Sequence, residues 1–487
     1  MKLDIRQIDD LPRLSWCVKL AMGSSTAQVR CGPWVEIGED WFVEGAWNGE
    51  FEERDFERSC CLMGSGCKIR AGELVIASPC HMLESLFLVR RDQTVTVANS
   101  LAFLLVASGL KLDPRYPYYR VDLMSTQRGL DQCVKEIPTE DGPNIRLLYY
   151  TNIHVDPELR VTIASKPAPP DWADYHEFKD FLVETLGSLR DNANAPQRCV
   201  RYELTSTLSS GHDSTAAAAL AAQAGGKHAV TVTHGINVFT KAPTDDCGTK
   251  IADKLGLQST EVVPVDYLNV AVESRAELAA CGDVVELGLL AMEPHFAAKL
   301  VTTGHTGNFW MNHTLPSPRF ARAGPDGTAY QELRLRRGFV HVPVPMLIGV
   351  RRVRIHEITH SQEMRPWSES MKTYDRPIPR RILSEGGVPR DMYGRNFAGG
   401  PVLATTHLPD ALLAYYGRHR GRCSTWSRIR LAIRSRITSL CVRANALARK
   451  LGLVRHMYLV HWDVPHLGPN SMVVQWGQSV VRKRYRF

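Results

Sequence analysis

The sequence lacks the features that mark membrane-spanning, secreted and zinc-binding proteins. No uncharged apolar run reaches the length of about 18 residues that a transmembrane helix needs. The polar, acidic segment 1–13 has no apolar stretch of the kind found in signal peptides. The 12 cysteines are scattered, without a CxxC pair or a Cys/His zinc spacing. These absences predict a reduced, cytoplasmic protein.

Length and composition predict more than one domain. A chain of 487 residues exceeds an ordinary single domain, and 44% apolar residues suffice for well-formed cores. Residues 100–108 predict a short helix that ends at Gly109, and the proline-rich segment 166–174 predicts a linker. Short aromatic or β-branched segments predict strands at 41–47, 73–77 and 94–98. We expect a β-rich, sandwich-like domain, an α/β domain and a basic helical region, over 1–165, 175–405 and 406–487.

A strand, a tight turn and a helix follow one another between residues 200 and 226. The turn, Ser209 to Ser214, is built of small residues, and the alanine-rich helix stops at Gly225. The backbone of such a turn can approach a ligand closely, and the first helical amides point at an anion. Asp213 adds a carboxylate where a Mg²⁺ ion on pyrophosphate needs one. The alternative is an ordinary turn in which Asp213 or Ser214 caps the helix.

The elements after this turn alternate between strand and helix. Strands are predicted at 229–234, 261–265 and 300–303, and helices at 245–255, 268–280 and 292–299. This alternation predicts a parallel α/β sheet, in which ligands bind beyond the carboxyl ends of the strands. Ser209 to Ser214, His234-Gly235 and the turn after Thr303 should therefore lie on one rim. The pair Asp245-Asp246 is expected to cap a helix, with metal or substrate binding as the alternative.

Two turns resemble signatures of a known superfamily. Ser209 to Ser214 resembles the pyrophosphate loop of the ATP pyrophosphatase superfamily, Ser-Gly-Gly-x-Asp-Ser, with Ser210 replacing the first Gly. The turn 304–308, Gly-His-Thr-Gly-Asn, resembles the second signature of the asparagine synthase family, whose last position is acidic; the alternative is a simple glycine turn. The resemblance implies an adenine nucleotide α hydrolase-like fold with ATP and Mg²⁺ as cofactors. It also implies a ligase that adenylates a carboxylate, releases pyrophosphate and forms an amide with ammonia or an amine.

The same resemblance implies the residues of the site. Asp213 and Asn308 would bind Mg²⁺. Asp213 and Arg395 would be catalytic, since Arg395 stands near the position of a phosphate-contacting lysine in the family. The residues expected to contact ATP are Ser209, Ser210, Gly211, Asp213, Ser214, Val232, Thr233, Gly304, Gly307 and Asn308. Three further arginines either bind phosphate or a carboxylate, or form surface salt bridges: Arg380, Arg381 and Arg390.

The first 165 residues resemble, in position, the glutaminase domain of asparagine synthetases. That domain needs a cysteine directly after the initiator Met, where this sequence has Lys2. Cys17 and Cys31 are internal and cannot supply the α-amino group that the reaction uses. The resemblance therefore implies a glutaminase-like domain without glutamine hydrolysis. The Cys60-Cys61 pair is expected to serve packing rather than chemistry.

The C-terminal region is strongly basic. No Asp or Glu occurs from Tyr415 to His461, and apolar residues follow a helical stripe from Ile429 to Leu451. Such a helix either packs on the neighbouring domain with a solvated basic face, or contacts an anionic membrane or a protein partner. Nucleic acid is not expected as a partner, because no nucleic-acid-binding motif accompanies the charge.

Two alternatives to a ligase stay open. One is a nucleotide-dependent enzyme that acts on RNA, which is suggested only by the basic C-terminal region; the other is a relative without catalysis. A catalytically impaired relative could keep the fold and nucleotide binding and act as a partner or scaffold protein. Lys2, Asn308 and the missing lysine favour this alternative, whereas the carboxylate of Asp213 favours the ligase. The sequence identifies neither the carboxylate acceptor nor the nitrogen donor.

Overall fold

A computed structural model gives the fold of most of the chain. It describes residues 1–237, 243–264, 270–282, 288–310, 327–369, 375–394, 398–399, 409–419, 429, 432–433, 436 and 469–486. Arg395 and most of the basic C-terminal stripe lie outside these residues. Among the described helices, none is long and apolar enough to cross a lipid bilayer.

The N-terminal region is built almost entirely of strands. The three strands predicted from alternating or aromatic segments are confirmed with their bounds, and Gly109 ends the predicted short helix at a φ of 68°. The elements are β1 (Lys2–Gln7), β2 (Trp16–Ala21), β3 (Thr26–Cys31), β4 (Glu36–Ile37), β5 (Trp41–Trp47), β6 (Leu62–Arg70), β7 (Glu73–Ala77), β8 (Leu86–Arg91), β9 (Thr94–Ala98), α1 (Leu101–Ser108), α2 (Tyr119–Leu123), β10 (Glu136–Ile137), β11 (Ile145–Leu148), β12 (Thr151–Val155) and β13 (Val161–Ser165).

These strands form two sheets that pack face to face. One sheet has the order β1-β3-β2-β9-β8-β11-β10, and the other has the order β13-β12-β7-β6-β5-β4. Neighbouring strands are antiparallel except β1 and β3, which run parallel. Trp16, Phe42, Ile76, Val97 and Ile153 lie in the apolar layer between the sheets. The predicted sandwich-like architecture is therefore confirmed, because each sheet turns one apolar face towards the other.

The second half of the chain alternates between strands and helices. Its elements are α3 (Tyr175–Ala193), β14 (Glu203–Leu208), α4 (His212–Gln223), β15 (His228–Val232), β16 (Gly235–Asn237), β17 (Pro243–Thr244), α5 (Thr249–Leu255), β18 (Gln258–Val262), α6 (Val272–Ala280), α7 (Gly288–Met292), β19 (Lys299–Thr303), α8 (Tyr330–Arg337), β20 (Val340–Pro343), α9 (Arg352–His360), α10 (Pro377–Glu385), β21 (Ala398–Gly399), α11 (Asp410–His419) and α12 (Val473–Val481).

Five strands of this half form the predicted parallel sheet. Their order is β18-β15-β14-β19-β20, and every neighbouring pair is parallel. β14 lies at the centre, so the turn that follows it opens at the middle of the carboxyl edge. The α/β architecture is therefore confirmed.

The helix predicted at 292–299 is wrong. α7 ends at Met292, residues Glu293–His295 form a 3₁₀ turn, and β19 begins at Lys299. Pro294 lacks the amide hydrogen that a continuing helix would need. Ala298, with a φ of 55°, then turns the chain in the left-handed region that helices avoid.

The end of the chain packs into the core. α12 crosses α6 so closely that a Cβ at Gly477 would overlap the backbone of α6 at Ala276 and Ala280. Gln478 Nε2 donates to Ala280 O at 3.0 Å. The ring of Tyr485 stacks on Phe103 of α1 at 4.8 Å between centroids. The described C-terminal residues thus connect the α/β half to the sandwich.

Glu332 on α8 makes this C-terminal packing sensitive to pH. Its carboxylate accepts hydrogen bonds from Ser100 Oγ at 2.7 Å and from Tyr485 Oη at 3.0 Å. Burial raises the pKa of Glu332 from 4.5 to about 7. Between these two pH values the folded state keeps a proton that the unfolded state loses, so rising pH favours unfolding.

We expect Glu332→Gln to remove this part of the pH dependence. The unfolding free energy of the wild type, minus that of the variant, should fall by up to about 3 kcal/mol between pH 4.5 and 7, and stay level above. Urea titrations of both proteins across this range measure the difference. A difference that does not vary with pH would contradict the prediction.

Candidate functional site

The turn after β14 is held in shape by its own side chains. Ser209 Oγ lies 2.7 Å from Ser214 Oγ and accepts a hydrogen bond from Gly211 N at 3.1 Å. Thr215 Oγ1 donates to Ser209 O at 2.8 Å. The N-cap of α4 is Gly211, which has no side chain to cap the helix. The turn therefore presents the positive end of a 12-residue helix at the carboxyl edge of the sheet.

Asp246 fixes the other side of the turn. Its Oδ1 accepts hydrogen bonds from Ser210 N at 3.2 Å and from Ser210 Oγ at 2.9 Å. Burial raises the pKa of Asp246 from 3.8 to about 6. The helix predicted from residue 245 starts only at Thr249, after the N-cap Gly248. The expectation that Asp246 caps this helix is therefore wrong, because its carboxylate is used by the turn.

The second glycine turn packs directly on the first. A Cβ at Gly304 would overlap the backbone of Asp213 and Ser214, and a Cβ at Gly307 would overlap the carboxyl group of Asp213. Thr306 between them has a φ of 65°, which a β-branched residue rarely adopts. Backbone strain of this kind clusters at functional sites. The Gly-x-x-Gly spacing thus serves the contact between the two turns, and Asn308 follows Gly307 at that contact.

One buried arginine pairs with Asp213, and a second buried arginine lies near the first. Arg376 Nε is 3.1 Å from Asp213 Oδ1, and both side chains are largely shielded from solvent. The guanidinium of Arg352 lies 4.6 Å from the ring centroid of Phe309. Within the described residues Arg352 forms no ion pair, and burial together with Arg376 lowers its pKa to about 10. The positive charges of Arg376 and Arg352 favour an anion on this side of the turn.

The segment before residue 395 closes the remaining side of the turn. Gly394 N donates to Ser210 O at 2.7 Å, and a Cβ at Gly394, whose φ is 66°, would overlap the ring of His212. Burial, together with the charges of Arg380, Arg390 and Arg376, lowers the pKa of His212 to about 3. His212 is therefore neutral at physiological pH. Arg395, predicted to be catalytic, lies outside the described residues.

The three arginines for which phosphate binding was one of two alternatives are engaged by acids. Their ion pairs join Arg380 to Asp375, Arg381 to Glu363 and Glu385, and Arg390 to Glu369. These pairs support the salt-bridge alternative, but Arg380 and Arg381 are buried and do not lie at the surface. Arg376, Arg352 and Gly394 reach the turn from distant parts of the chain, and no local pattern marks them as partners of the turn. The sequence singles out Asp246, but not as a residue that holds the turn.

The predicted adenine-contacting residues lie on the strand next to β14. Val232 ends β15, and Thr233 N donates to Val262 O at 3.0 Å, which extends the pairing with β18 by one residue. Both therefore stand at the same carboxyl edge as Ser209 to Ser214. The predicted ATP-contacting residues thus meet at one edge of the sheet; their role in binding stays a prediction.

The carboxylate content of the site limits how it could hold Mg²⁺. No cluster of three His, Cys, Asp or Glu side chains suited to a metal ion occurs among the described residues. Mg²⁺ on a nucleotide commonly takes one or two carboxylates and completes its shell with phosphates and water. Asp213 fits that role if the phosphates supply the remaining ligands and Arg376 turns from Asp213 towards them.

The three positions considered for a glutaminase nucleophile, Lys2, Cys17 and Cys31, lie on the neighbouring strands β1, β2 and β3. Lys2 is exposed on the edge strand β1. Burial raises the pKa of both Cys17 and Cys31 to about 12, so these thiols stay protonated.

Comparison with known proteins adds little to this geometry. No protein family matches the sequence, and no curated protein matches it. A structural match is a glutamine-dependent NAD⁺ synthetase from Acinetobacter baumannii, solved in complex with adenosine diphosphate. The match has 15% identity and a TM-score of 0.21, and it spans 62% of this chain and 54% of the synthetase. A likeness this weak transfers no property to the present chain.

Proposed function

We propose that this chain is an ATP-dependent ligase of the asparagine synthase type. It would adenylate a carboxylate, release pyrophosphate and form an amide with ammonia or a substrate amine, without hydrolysing glutamine itself. The observation that carries the proposal is the contact of two glycine-containing turns at the N-terminus of α4, with Asp213 between them. An anion is favoured there by the helix dipole and by two buried arginines.

The residues have distinct roles in this proposal. The hydroxyls and amides of Ser209 to Ser214 would bind the phosphates, held in place by Asp246. Arg352 and Arg376 would balance the charge of the departing pyrophosphate. Mg²⁺, when bound through Asp213, would supply further positive charge to the phosphates. Val232 and Thr233 would present backbone groups to the adenine.

A second candidate function rests on the ion pair between Asp213 and Arg376. In this arrangement the carboxylate that would hold Mg²⁺ is engaged by a cation, and Asn308 brings an amide where an acid would hold the metal more firmly. A nucleotide-binding relative without catalysis, acting as a partner or scaffold, would tolerate both features.

Exchange of labelled pyrophosphate into ATP tests the two candidates. With Mg²⁺ and a panel of carboxylates that includes aspartate, we expect exchange that depends on one carboxylate. Asp213→Asn should reduce this exchange roughly 100-fold or more, since the loss removes charge stabilisation at the phosphates. Asp253→Asn is the matched control, because Asp253 is an exposed carboxylate on α5, and it should leave exchange unchanged.

The remaining outcomes separate the candidates. Mg²⁺-dependent ATP binding without exchange, for every carboxylate, would favour the non-catalytic relative. A chain that binds no ATP would contradict both candidates.

A further inference from the structure

Three cysteines converge where the N-terminal sandwich meets the linker to the α/β half. Cys60 and Cys61 lie just before β6, and Cys80 follows β7. Cys60 Sγ is 3.8 Å from Cys61 Sγ, which is within the distance of a sulfur hydrogen bond. Cys61 and Cys80 are fully buried, whereas Cys60 is only partly buried. One thiol of the group is therefore accessible and two are not.

A buried cation accompanies the thiols. Lys166 opens the linker, its side chain is buried, and its charge acts on Cys80. Its Nζ has no hydrogen-bond partner among the described residues. Burial lowers the pKa of Lys166, and the charges of Cys80 and Glu57 oppose this effect. The charge of Lys166 thus acts on Cys80, whereas Cys60 is influenced by its contact with Cys61.

The two neighbouring thiols are chemically unequal. The hydrogen-bond contact with Cys61 lowers the pKa of Cys60 from 9.0 to about 7, despite partial burial. The same hydrogen bond and complete burial raise the pKa of Cys61. At neutral pH a large fraction of Cys60 is thus the nucleophilic thiolate, while Cys61 carries its proton. The expectation that this pair serves packing rather than chemistry does not account for the opposite pKa shifts of the two thiols.

We propose that Cys60 and Cys61 form a redox modification site that reacts with hydroperoxides. The Cys60 thiolate attacks a peroxide oxygen, the O–O bond breaks, and Cys60 becomes a sulfenic acid. The departing hydroxide, or the alkoxide of an organic peroxide, takes a proton from solvent and leaves as water or an alcohol. The Cys61 sulfur then attacks the Cys60 sulfur, an S–S bond forms, and the sulfenic oxygen leaves as water. Two cysteine sulfurs are oxidised and the peroxide is reduced.

The disulfide formed here would be easily reduced. Adjacent Cα atoms lie about 3.8 Å apart, below the usual separation of about 4.4–6.8 Å in disulfides. Strained disulfides have more oxidising potentials, and they are the labile and regulatory ones. The modification should therefore be reversed by low concentrations of dithiothreitol.

Hydrogen peroxide treatment followed by peptide mapping tests the proposal. The tryptic peptide 59–68 carries Cys60, Cys61 and Cys67, and it should lose two hydrogens after oxidation and regain them with dithiothreitol. In Cys61→Ser, dimedone should trap Cys60 as its sulfenic adduct, because the Cys61 thiol that closes the bond is gone. Cys60→Ser should show neither product. Cys67→Ser is the matched control in the same peptide and should oxidise like the wild type.

Alkylation kinetics give a second, independent measurement. At pH 7 iodoacetamide should label Cys60 roughly tenfold faster than the cysteine of an unstructured reference peptide, because Cys60 has the larger thiolate fraction. Equal or slower labelling of Cys60 would overturn the proposal, as would a disulfide to Cys80 in place of Cys61. Cys61→Ser keeps the test valid if Cys60→Ser fails to fold, since dimedone then reports on Cys60 directly.

Discussion

Arg334→Leu should destabilise the protein by about 3–5 kcal/mol, because it leaves two buried carboxylates without their cation. Arg334 on α8 donates from Nη1 to Glu44 Oε2 at 2.6 Å and from Nη2 to Glu84 Oε2 at 2.7 Å. All three side chains are at most 3% exposed. Glu44 belongs to the sandwich and Glu84 to the segment before β8, so this trio joins the two halves of the molecule. Burial alone already raises the pKa of Glu44.

Urea unfolding of Arg334→Leu, followed by circular dichroism, measures this effect. Arg160→Leu is the control, since Arg160 is 76% exposed beside Asp156, and it should not move the midpoint measurably. Adding Glu44→Gln and Glu84→Gln to Arg334→Leu should restore part of the loss, because the uncompensated charge is then gone. A loss in Arg334→Leu no larger than that in the control would show that the trio contributes little.

Short sequence patterns predicted the strands and helices that are determined by residues close to one another in the chain. The strands at 41–47, 73–77 and 94–98 contain β-branched or aromatic residues and are flanked by Gly, Asp or Asn, and their bounds are reproduced. The order of strands and helices after residue 200 likewise predicted the parallel sheet. In these cases the periodic apolar side chains and the turn residues that determine an element lie within a few positions of one another.

Contacts between distant segments could not be predicted from one sequence. The residues around Asp246 predict a helix cap, but its carboxylate accepts a hydrogen bond from Ser210, which is 36 residues away. Arg376 reaches Asp213 across 163 residues, and nothing in its own neighbourhood marks it as a site residue. Gly477 lies in an apolar helical run whose partner, α6, is set only by tertiary packing. The sequence therefore predicted the loop from Ser209 to Ser214, but not the residues that hold it in place and bring charge next to it.

Gly304→Ala should lower nucleotide binding and any pyrophosphate exchange by about 100-fold, because a displacement of about 1 Å in a positioned site can cost that much. The new Cβ would overlap backbone atoms of Asp213 and Ser214, which cannot move without shifting the start of α4. The same overlap should cost about 1–3 kcal/mol of folding free energy, as overpacking does elsewhere. Stability is thus a readout that does not depend on the proposed reaction.

The matched control is Gly187→Ala, the same change at a position on α3 where a Cβ would meet nothing within 4 Å. It should stabilise the protein by about 0.5–1 kcal/mol, because alanine restricts the unfolded chain and favours the helix. Calorimetric titration with Mg²⁺–ATP and urea unfolding of both variants provide the comparison. If Gly304→Ala kept wild-type stability and binding, the two turns would not be in contact, and the geometry on which the proposed ligase rests would be wrong. If stability fell while the wild type itself bound no ATP, the contact would stand and only the proposed function would fail.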